Sequence, residues 1–190
     1  MENSDLTKSL KKQTGSEYCI PVGSGTSALV IALKAFNFPK NSEIIIPDYT
    51  CINVGLAIMF ADLKPVVVDI EKKHFNINTE SIKNRISSKT KAIIGVHSFG
   101  FSLAIDEIKD ICNNNNLIFI EDFCQSFGGK YKGSSHGNFG DVSVTSFGKY
   151  KTLDVGLGGA LFTNEKNIYL EIKNILESKK KGGTFLLRIE

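Results

Sequence analysis

Seven short apolar runs, separated by polar or helical stretches, are the feature that most constrains the fold of this chain. Most of the runs are continuously apolar and do not alternate, which is typical of strands that helices cover on both faces. The sequence therefore predicts the α/β class, with three layers and a seven-stranded, mostly parallel sheet. The predicted strands span residues 17–22, 41–47, 65–70, 91–97, 117–120, 142–147 and 159–163.

The connection between the last two predicted strands differs from the others. Residues 148–158 are too few to form the crossover helix that joins parallel neighbours. We therefore expect the strand at residues 159–163 to be the one antiparallel strand of the sheet. A final helix is expected over residues 165–180.

Length and composition limit the classes of function. The 190 residues, of which 42% are hydrophobic and 23% charged, can form one domain with a sizeable core. The net charge of +3 gives no reason to propose nucleic acid as a partner. The four cysteines form no CxxC pair, and the three histidines suggest no metal site. Without an apolar signal core or membrane span, we expect a cytoplasmic protein.

Polar residues collect where the predicted strands end. In open, mostly parallel sheets, ligands bind at the carboxyl ends of the strands. The sequence therefore predicts a binding site at this edge of the sheet. The segments concerned are Gly23–Ser27, Asp48–Thr50, His97, Asp122–Gln125 and Ser146–Lys151.

An acid and an amine in these segments predict a specific chemistry. Asp122 follows the strand at residues 117–120, and Lys151 lies just beyond the strand at residues 142–147. A pyridoxal-phosphate enzyme needs an amine for the Schiff base and an acid that keeps the pyridine nitrogen protonated. Glu121 is the alternative acid and Lys149 the alternative amine. A loop-capping acid and an ordinary loop lysine remain the simpler interpretations.

The GSGT segment and the histidines have weaker signals. Gly25, Thr26 and Ser27 open a predicted helix, where backbone N–H groups can hold a phosphate, although capped strand-to-helix turns often look the same. His97 is interpreted as a structural residue near the site more than as an acid–base group. His136 lies in a glycine-rich connection, where we expect it to be exposed to solvent.

Seven segments in order resemble the DegT/DnrJ/EryC1/StrS family of fold type I sugar aminotransferases. The resemblance covers about residues 15 to 170 and rests on GSGTSAL, IIPDYTCINVGLAI, PVVVDIEKKHFNINTESI, TKAIIGVHSFG, IEDFCQSFGGKYKG, GNFGDVSVTSFGKYKTL and GLGGALFTNE. The polar residues 1–15 predict an arm or helix. The resemblance implies a large domain that binds pyridoxal 5'-phosphate at residues 16–180, and residues 181–190 are a divergent tail. It also implies that the family's small C-terminal domain is missing.

The resemblance assigns roles to the residues at the predicted site. Lys151 occupies the Schiff-base position, which favours transamination, because family members that dehydrate have histidine there. Asp122 would pair with the pyridine nitrogen, and Gln125 would lie near the ring face and the phenolic oxygen. Ser146 would reach the phosphate, together with Gly25, Thr26 and Ser27.

One position departs from the family pattern. Cys51 stands where the family usually has an aromatic residue that stacks on the cofactor ring. This departure leaves the ring without its usual platform, and Tyr49 or Phe123 are the candidates to replace it.

The resemblance also implies substrates and partners. It predicts an aminotransferase that moves an amino group from glutamate to a nucleotide-linked keto sugar, for amino-sugar and polysaccharide biosynthesis. The site in this family lies at a dimer interface, so a homodimer or a complementing chain is expected. The alternative is a non-catalytic protein with the same sheet, which acts as a binding or partner module, or one half of a split enzyme.

Overall fold

A seven-stranded sheet forms the centre of the computed structural model, which describes residues 4–181. Two further strands of two residues each, β6 (Lys130–Tyr131) and β7 (Ser134–Ser135), form a separate small hairpin. The strands of the main sheet are β1 (Tyr18–Val22), β2 (Glu43–Pro47), β3 (Lys64–Val68), β4 (Thr90–Val96), β5 (Ile118–Asp122), β8 (Val142–Ser146) and β9 (Gly159–Thr163).

The strand order in the main sheet is β1-β9-β8-β5-β4-β2-β3. β9 runs antiparallel to both of its neighbours, β1 and β8, and the other neighbouring pairs are parallel. This arrangement confirms the predicted fold class and the single antiparallel strand. The chain returns to the sheet through residues 147–158 without a helix, so β9 has to run against β8.

Helices cover the sheet on both faces. They are α1 (Asp5–Thr14), α2 (Gly25–Ala35), α3 (Ile52–Phe60), α4 (Thr79–Arg85), α5 (Ile105–Asn115) and α6 (Lys166–Lys181). Apolar residues of α2, α3 and α6 pack in one core with Ile44 and Ile46, whereas α4 and α5 pack in a second core with Ile45. Because successive strand residues point to opposite faces, β2 contributes to both cores and the fold has three layers.

The ends of the chain lie partly outside the described residues. Residues 5–14 of the predicted polar arm form α1, whose N-terminal Thr7 N–H donates to the Ser4 hydroxyl at 3.2 Å. Leu10 of α1 is buried against Phe123 and Phe162. Residues 182–190 of the predicted divergent tail are outside the described range. Among residues 4–181, no helix combines the length and apolar character that crossing a membrane requires.

The close approach of three backbone segments at Gly159 predicts a large loss of stability on substitution. A Cβ atom there would lie 2.7 Å from Ser24 C, 2.7 Å from Thr145 O and 2.8 Å from Gly25 N. Since backbone atoms cannot rotate away, we expect Gly159→Ala to lower the free energy of unfolding by about 3 kcal/mol in urea titrations.

Gly55 in α3 is the matched control for this prediction, because a Cβ atom there would have no neighbour within 4 Å. Gly55→Ala should leave stability unchanged or raise it by up to about 1 kcal/mol, since alanine favours the helix. Equal unfolding midpoints for Gly159→Ala and the unsubstituted chain would show that the three segments are not in close contact.

Candidate active site

The amino end of α2 lies at the carboxyl edge of the sheet and is held there by two sets of hydrogen bonds. The Ser24 hydroxyl caps the helix by accepting from Ser27 N–H at 3.1 Å, and the two hydroxyl oxygens lie 3.0 Å apart. Gly158 N–H donates to Gly23 O at 3.1 Å. The turn predicted to hold a phosphate is therefore joined to the end of the connection that carries Lys151.

The absence of a side chain at Gly25 allows β8 to approach this turn. A Cβ atom at Gly25 would lie 2.8 Å from Ser146 Cβ and 3.4 Å from both Ser146 Oγ and Cys124 Sγ. The Ser146 hydroxyl accepts from Gly148 N–H at 3.3 Å, so its own proton remains available to another acceptor. The turn, Ser146 and Cys124 thus form one contiguous surface of small groups.

Asp122 is the last residue of β5 and is buried beside this surface. Its Oδ1 accepts from Cys124 N–H at 3.0 Å. Burial raises the pKa of the Asp122 carboxyl above its usual range, and the hydrogen bonds from Cys124 and the positive charge of Lys151 act against this shift. A positively charged group bound next to Asp122 would therefore be favoured, because it would stabilise the charged carboxylate.

Cys124 packs between the acid and the glycine turn as a neutral thiol. Burial raises its pKa well above the usual value, and the neighbouring Asp122 charge adds to this effect. The thiol contact with Gly25 was missed by the sequence analysis. Nothing in the local sequence signals it, because it depends on how β5 lies next to β8 and α2.

The loop that carries Lys151 is closed by backbone hydrogen bonds. Lys151 N–H donates to Gly148 O at 3.3 Å, and Val155 N–H donates to Phe147 O at 3.0 Å. Asp154 accepts from Tyr150 N–H and Gly156 N–H at 3.0 and 2.9 Å. Within this loop Lys151 is partly buried and acts on the pKa of Asp122, whereas Lys149 is exposed.

Glu121, the alternative acid, is committed to other partners. It precedes Asp122 in β5, points to the opposite face of the sheet and is fully buried. Five donors meet its two oxygens, and they hold the pKa of Glu121 below its usual range despite burial. The donors are Gly137 N (2.7 Å), Phe139 N (2.9 Å), Gly140 N (3.2 Å), Ser143 Oγ (2.8 Å) and His97 Nε2 (3.1 Å).

His97 and His136 are both buried in the interior next to Glu121. The Nδ1 atom of His97 accepts from Leu103 N–H at 3.2 Å, so Nε2 carries the proton that faces Glu121. His97 stacks on His136 with ring centroids 3.9 Å apart. The prediction that His136 is exposed is wrong, because this stacking and a 2.8 Å contact of its Nε2 with Ser102 Oγ hold the ring inside.

The burial of His136 predicts that the fold loses stability in mild acid. Burial and the neighbouring His97 lower the pKa of His136 from 6.5 to about 4. Between these two pH values the unfolded chain binds a proton that the folded chain does not. Stability from this group is therefore complete above pH 6.5 and falls by about 3 kcal/mol as the pH drops to 4.

Urea unfolding of the unsubstituted chain and His136→Gln at several pH values between 7 and 4 measures this contribution. The difference between the two free energies of unfolding should shrink as the pH falls, since only the unsubstituted chain carries the buried imidazole with the lowered pKa. Parallel curves over this range would contradict the assignment.

The three residues considered for contact with the cofactor ring, Tyr49, Cys51 and Phe123, differ in their exposure to solvent. Phe123 is fully buried against Phe127 and Phe162, so the expectation that it could stack on a ligand is wrong. Cys51 is exposed at the start of α3, and its side chain makes no capping hydrogen bond. Tyr49 is exposed at the same edge, where it contacts two further aromatic rings.

Gln125 has a defined amide orientation. Its Oε1 accepts from Phe99 N–H at 2.8 Å. Since an N–H group can only meet the oxygen of the amide, the NH₂ group of Gln125 remains free to donate elsewhere. Phe99 was missed by the sequence analysis, because its backbone role depends on the turn that follows β4.

No cluster of three or more His, Cys, Asp or Glu side chains within residues 4–181 is arranged to hold a metal ion. Buried Glu121 is instead occupied by five hydrogen-bond donors. The groups available for a ligand are those at the carboxyl edge: the amino end of α2, Ser146, Asp122, Gln125 and Lys151.

Comparison with known proteins places this arrangement in a family. GDP-perosamine synthase of Escherichia coli O157:H7 is 37% identical over 158 residues, which are 83% of this chain and 43% of that protein. The UDP-2-acetamido-2-deoxy-3-oxo-D-glucuronate aminotransferase of Pseudomonas aeruginosa is 35% identical over 175 residues, 92% of this chain and 49% of that protein. The chain thus spans about half the length of these relatives.

A solved structure and a family model agree with these relatives. The DegT DnrJ EryC1 StrS aminotransferase from Brucella abortus superposes with a TM-score of 0.88 at 30% identity, covering 96% of this chain and 51% of that one. A model described as the DegT/DnrJ/EryC1/StrS aminotransferase family matches residues 1–182. The chain therefore belongs to the DegT/DnrJ/EryC1/StrS aminotransferase family.

Proposed function

We propose that this chain forms the cofactor-binding part of a pyridoxal-phosphate-dependent aminotransferase for nucleotide-linked keto sugars. The observation that carries the proposal is the meeting of the α2 amino end, buried Asp122 and Lys151 at one edge of the sheet. The family and the names of the relatives support the reaction class. Glutamate is the proposed amino donor, and amino-sugar and polysaccharide biosynthesis is the proposed role.

The groups at the edge fit a phosphate. The backbone N–H groups of Gly25 and Thr26 lie at the positive end of the α2 dipole, which favours an anion. The Ser27 N–H is already bonded to the Ser24 hydroxyl, so Ser27 would contribute its own hydroxyl. A Cβ atom at Gly25 would collide with Ser146, so the glycine permits the close approach. We assign Gly25, Thr26, Ser27 and the Ser146 hydroxyl to the phosphate of pyridoxal 5'-phosphate.

The groups deeper in the site fit a protonated pyridine ring. Burial raises the pKa of the Asp122 carboxyl, because a buried carboxylate without a positive partner is unfavourable. A pyridinium N–H would supply that positive partner. The NH₂ group of Gln125 would donate to the phenolic oxygen, and Cys51 would lie at the ring face. When bound, the cofactor supplies an electron sink for charge that develops at the donor carbon.

Lys151 has two tasks in this proposal. Its amine would attach the cofactor covalently, and after release its Nζ would accept the proton from the α-carbon of the amino donor. The hydrogen-bonded loop keeps the Lys151 backbone in place during both steps. A general base held in this way can return the same proton to a neighbouring atom.

We also propose a second chain and a compartment. Exposed apolar residues occur in the loop that carries Lys151, namely Tyr150, Val155 and Leu157. A second copy or a complementing chain would cover them. The four free cysteines support a reducing, cytoplasmic compartment.

A non-catalytic binding module or one half of a split enzyme is the second candidate function. The feature that favours a binding module is Cys51, which stands where the family usually has an aromatic residue that stacks on the cofactor ring. The aminotransferase and this second candidate differ in whether the chain, once loaded with cofactor, exchanges an amino group.

The test is a spectroscopic titration of the purified chain with pyridoxal phosphate, followed by glutamate. We expect a visible absorption band when the cofactor binds, and its loss to the shorter-wavelength amine form when glutamate is added. A band that glutamate leaves unchanged would support the binding module. No band at all would contradict the proposed function.

A further inference from the structure

Three aromatic rings lie exposed together at the carboxyl edge of the sheet. Tyr49 follows β2, Phe75 lies between β3 and α4, and Phe99 follows β4. Their exposed fractions are 49%, 43% and 58%. The ring centroids are 5.6 Å apart for Tyr49–Phe75 and Tyr49–Phe99, and 5.9 Å apart for Phe75–Phe99. We call these three residues the aromatic cluster.

Two residues of the aromatic cluster have a strained backbone conformation. Phe75 has φ 60° and Phe99 has φ 53°, in the left-handed region that aromatic residues rarely adopt. Such strain persists only where the surroundings impose it, and it is concentrated at functional sites. The exposure of these rings is therefore built into the fold and does not result from a loose surface loop.

Buried hydrogen bonds hold the two strained turns together. The Asn76 side chain is buried, its Oδ1 accepts from Ser98 N–H at 3.0 Å, and its Nδ2 donates to Ser102 O at 2.9 Å. The Ser98 hydroxyl donates to Phe75 O at 3.0 Å. The aromatic cluster is thus preorganised, which lowers the entropic cost of binding a flat ligand.

The aromatic cluster borders the proposed cofactor site. Phe99 N–H donates to the Gln125 side chain at 2.8 Å, and Gln125 lies three residues beyond Asp122. A substrate whose reacting end lies at Lys151 and Asp122 would have its remote part at this edge of the sheet. The aromatic cluster offers that part ring faces, which suit a planar heteroaromatic group and not a phosphate.

We propose that Tyr49, Phe75 and Phe99 form a stacking subsite for the base of a nucleoside diphosphate. The inference deepens the proposed function and rests on it, since it identifies the place of the nucleotide in the nucleotide-linked sugar. Stacking on aromatic rings tolerates different bases because every base has a π face. Such a subsite therefore suits a chain whose relatives are named for both GDP- and UDP-linked sugars.

The test is calorimetric titration of the full chain, loaded with pyridoxal phosphate, with GDP, UDP and inorganic pyrophosphate. We expect Phe99→Ala to weaken GDP and UDP binding about tenfold and to leave pyrophosphate binding unchanged. Phe101→Ala is the matched control, because Phe101 is in the same turn, is 48% exposed and contacts the His74 ring. It should leave all three affinities unchanged.

A second variant, Tyr49→Leu, keeps an apolar side chain but removes a ring, and it replaces Phe99→Ala if that variant has a lowered melting temperature. GDP and UDP affinities that are equal in the unsubstituted chain, Phe99→Ala and Tyr49→Leu would overturn the subsite. So would an equal loss of pyrophosphate affinity, or no GDP and UDP binding by the unsubstituted chain at millimolar concentration.

Sedimentation velocity on the same samples tests whether a second copy of the chain occupies the aromatic cluster. Dissociation of an oligomer by Phe99→Ala, with unchanged GDP affinity, would overturn the inference. The visible band of bound pyridoxal phosphate is recorded separately. Its absence would refute the proposed function, whereas its presence without a stacking effect would refute only the subsite.

Discussion

Replacing Lys151 with alanine is expected to abolish covalent attachment of pyridoxal phosphate and to reduce amino transfer to background. The reason is that the partly buried Lys151 amine lies close enough to Asp122 to affect its pKa, at the edge where the phosphate and ring groups meet. The measurement is the visible absorption band, followed by borohydride reduction and peptide mapping of the pyridoxyl group. In the unsubstituted chain we expect the pyridoxyl group on Lys151 alone, and in Lys151→Ala we expect no labelled lysine.

Lys149 is the matched control for this experiment, because it lies two residues away in the same loop and is exposed. Lys149→Ala should keep the band, the mapped site and the response to glutamate. A band that survives Lys151→Ala and disappears in Lys149→Ala would show that the assignment of the amine is wrong. Both variants should unfold at the same urea concentration, since neither side chain is part of the core.

Replacing Glu121 with alanine is expected to cost about 5 kcal/mol or more of the free energy of unfolding, enough to unfold many domains. The substitution leaves five donors without an acceptor, and these donors come from His97 and from residues 137–143. Each buried unpaired donor costs about 1–3 kcal/mol. Circular dichroism and urea unfolding measure the loss.

Glu121→Gln separates shape from charge, because it keeps the volume and one acceptor oxygen but places an NH₂ group among donors. We expect it to lose about half as much stability as Glu121→Ala. Glu177→Ala, which removes an exposed carboxylate from α6, should change stability by less than about 0.5 kcal/mol. If Glu121→Ala were as mild as Glu177→Ala, the five hydrogen bonds could not be holding the glycine-rich segment on β5.

The class of the fold and the succession of strands along the chain could be predicted from the sequence, because patterns of apolar residues report burial directly. Continuous apolar runs identified all seven strands of the main sheet, and the short connection at residues 148–158 predicted that β9 is antiparallel. The end of β5 was predicted less accurately. Glu121 and Asp122 were expected to follow the strand, but they are its last two residues and therefore face opposite sides.

The choice between two acids and two amines could not be made from spacing alone. Neighbouring residues of one type look equivalent in a sequence, and the resemblance to a family was needed to prefer Asp122 and Lys151. The structure supplies an independent physical difference. The two carboxylate oxygens of Glu121 accept hydrogen bonds from five donors, and Lys149 is exposed. The roles of Asp122 and Lys151 remain predictions for the experiments above.

The two wrong expectations have a common cause. His136 lies in a glycine-rich connection and Phe123 follows a strand end, and both positions are usually accessible. His136 is buried because it stacks on His97, and Phe123 is buried because it packs on Phe162. Each partner is more than 30 residues away in the chain, so no local pattern reports the contact.

The sequence by itself determined the α/β class, the seven strands of the main sheet and the edge of that sheet where polar residues collect, because these follow from local patterns of apolar and polar side chains. Only the tertiary structure decided which of the two buried acids is occupied by hydrogen-bond donors, which lysine is partly buried, and that Tyr49, Phe75 and Phe99 meet in one exposed cluster. These features arise from contacts between distant segments, whose geometry depends on strand order and on the paths of the loops.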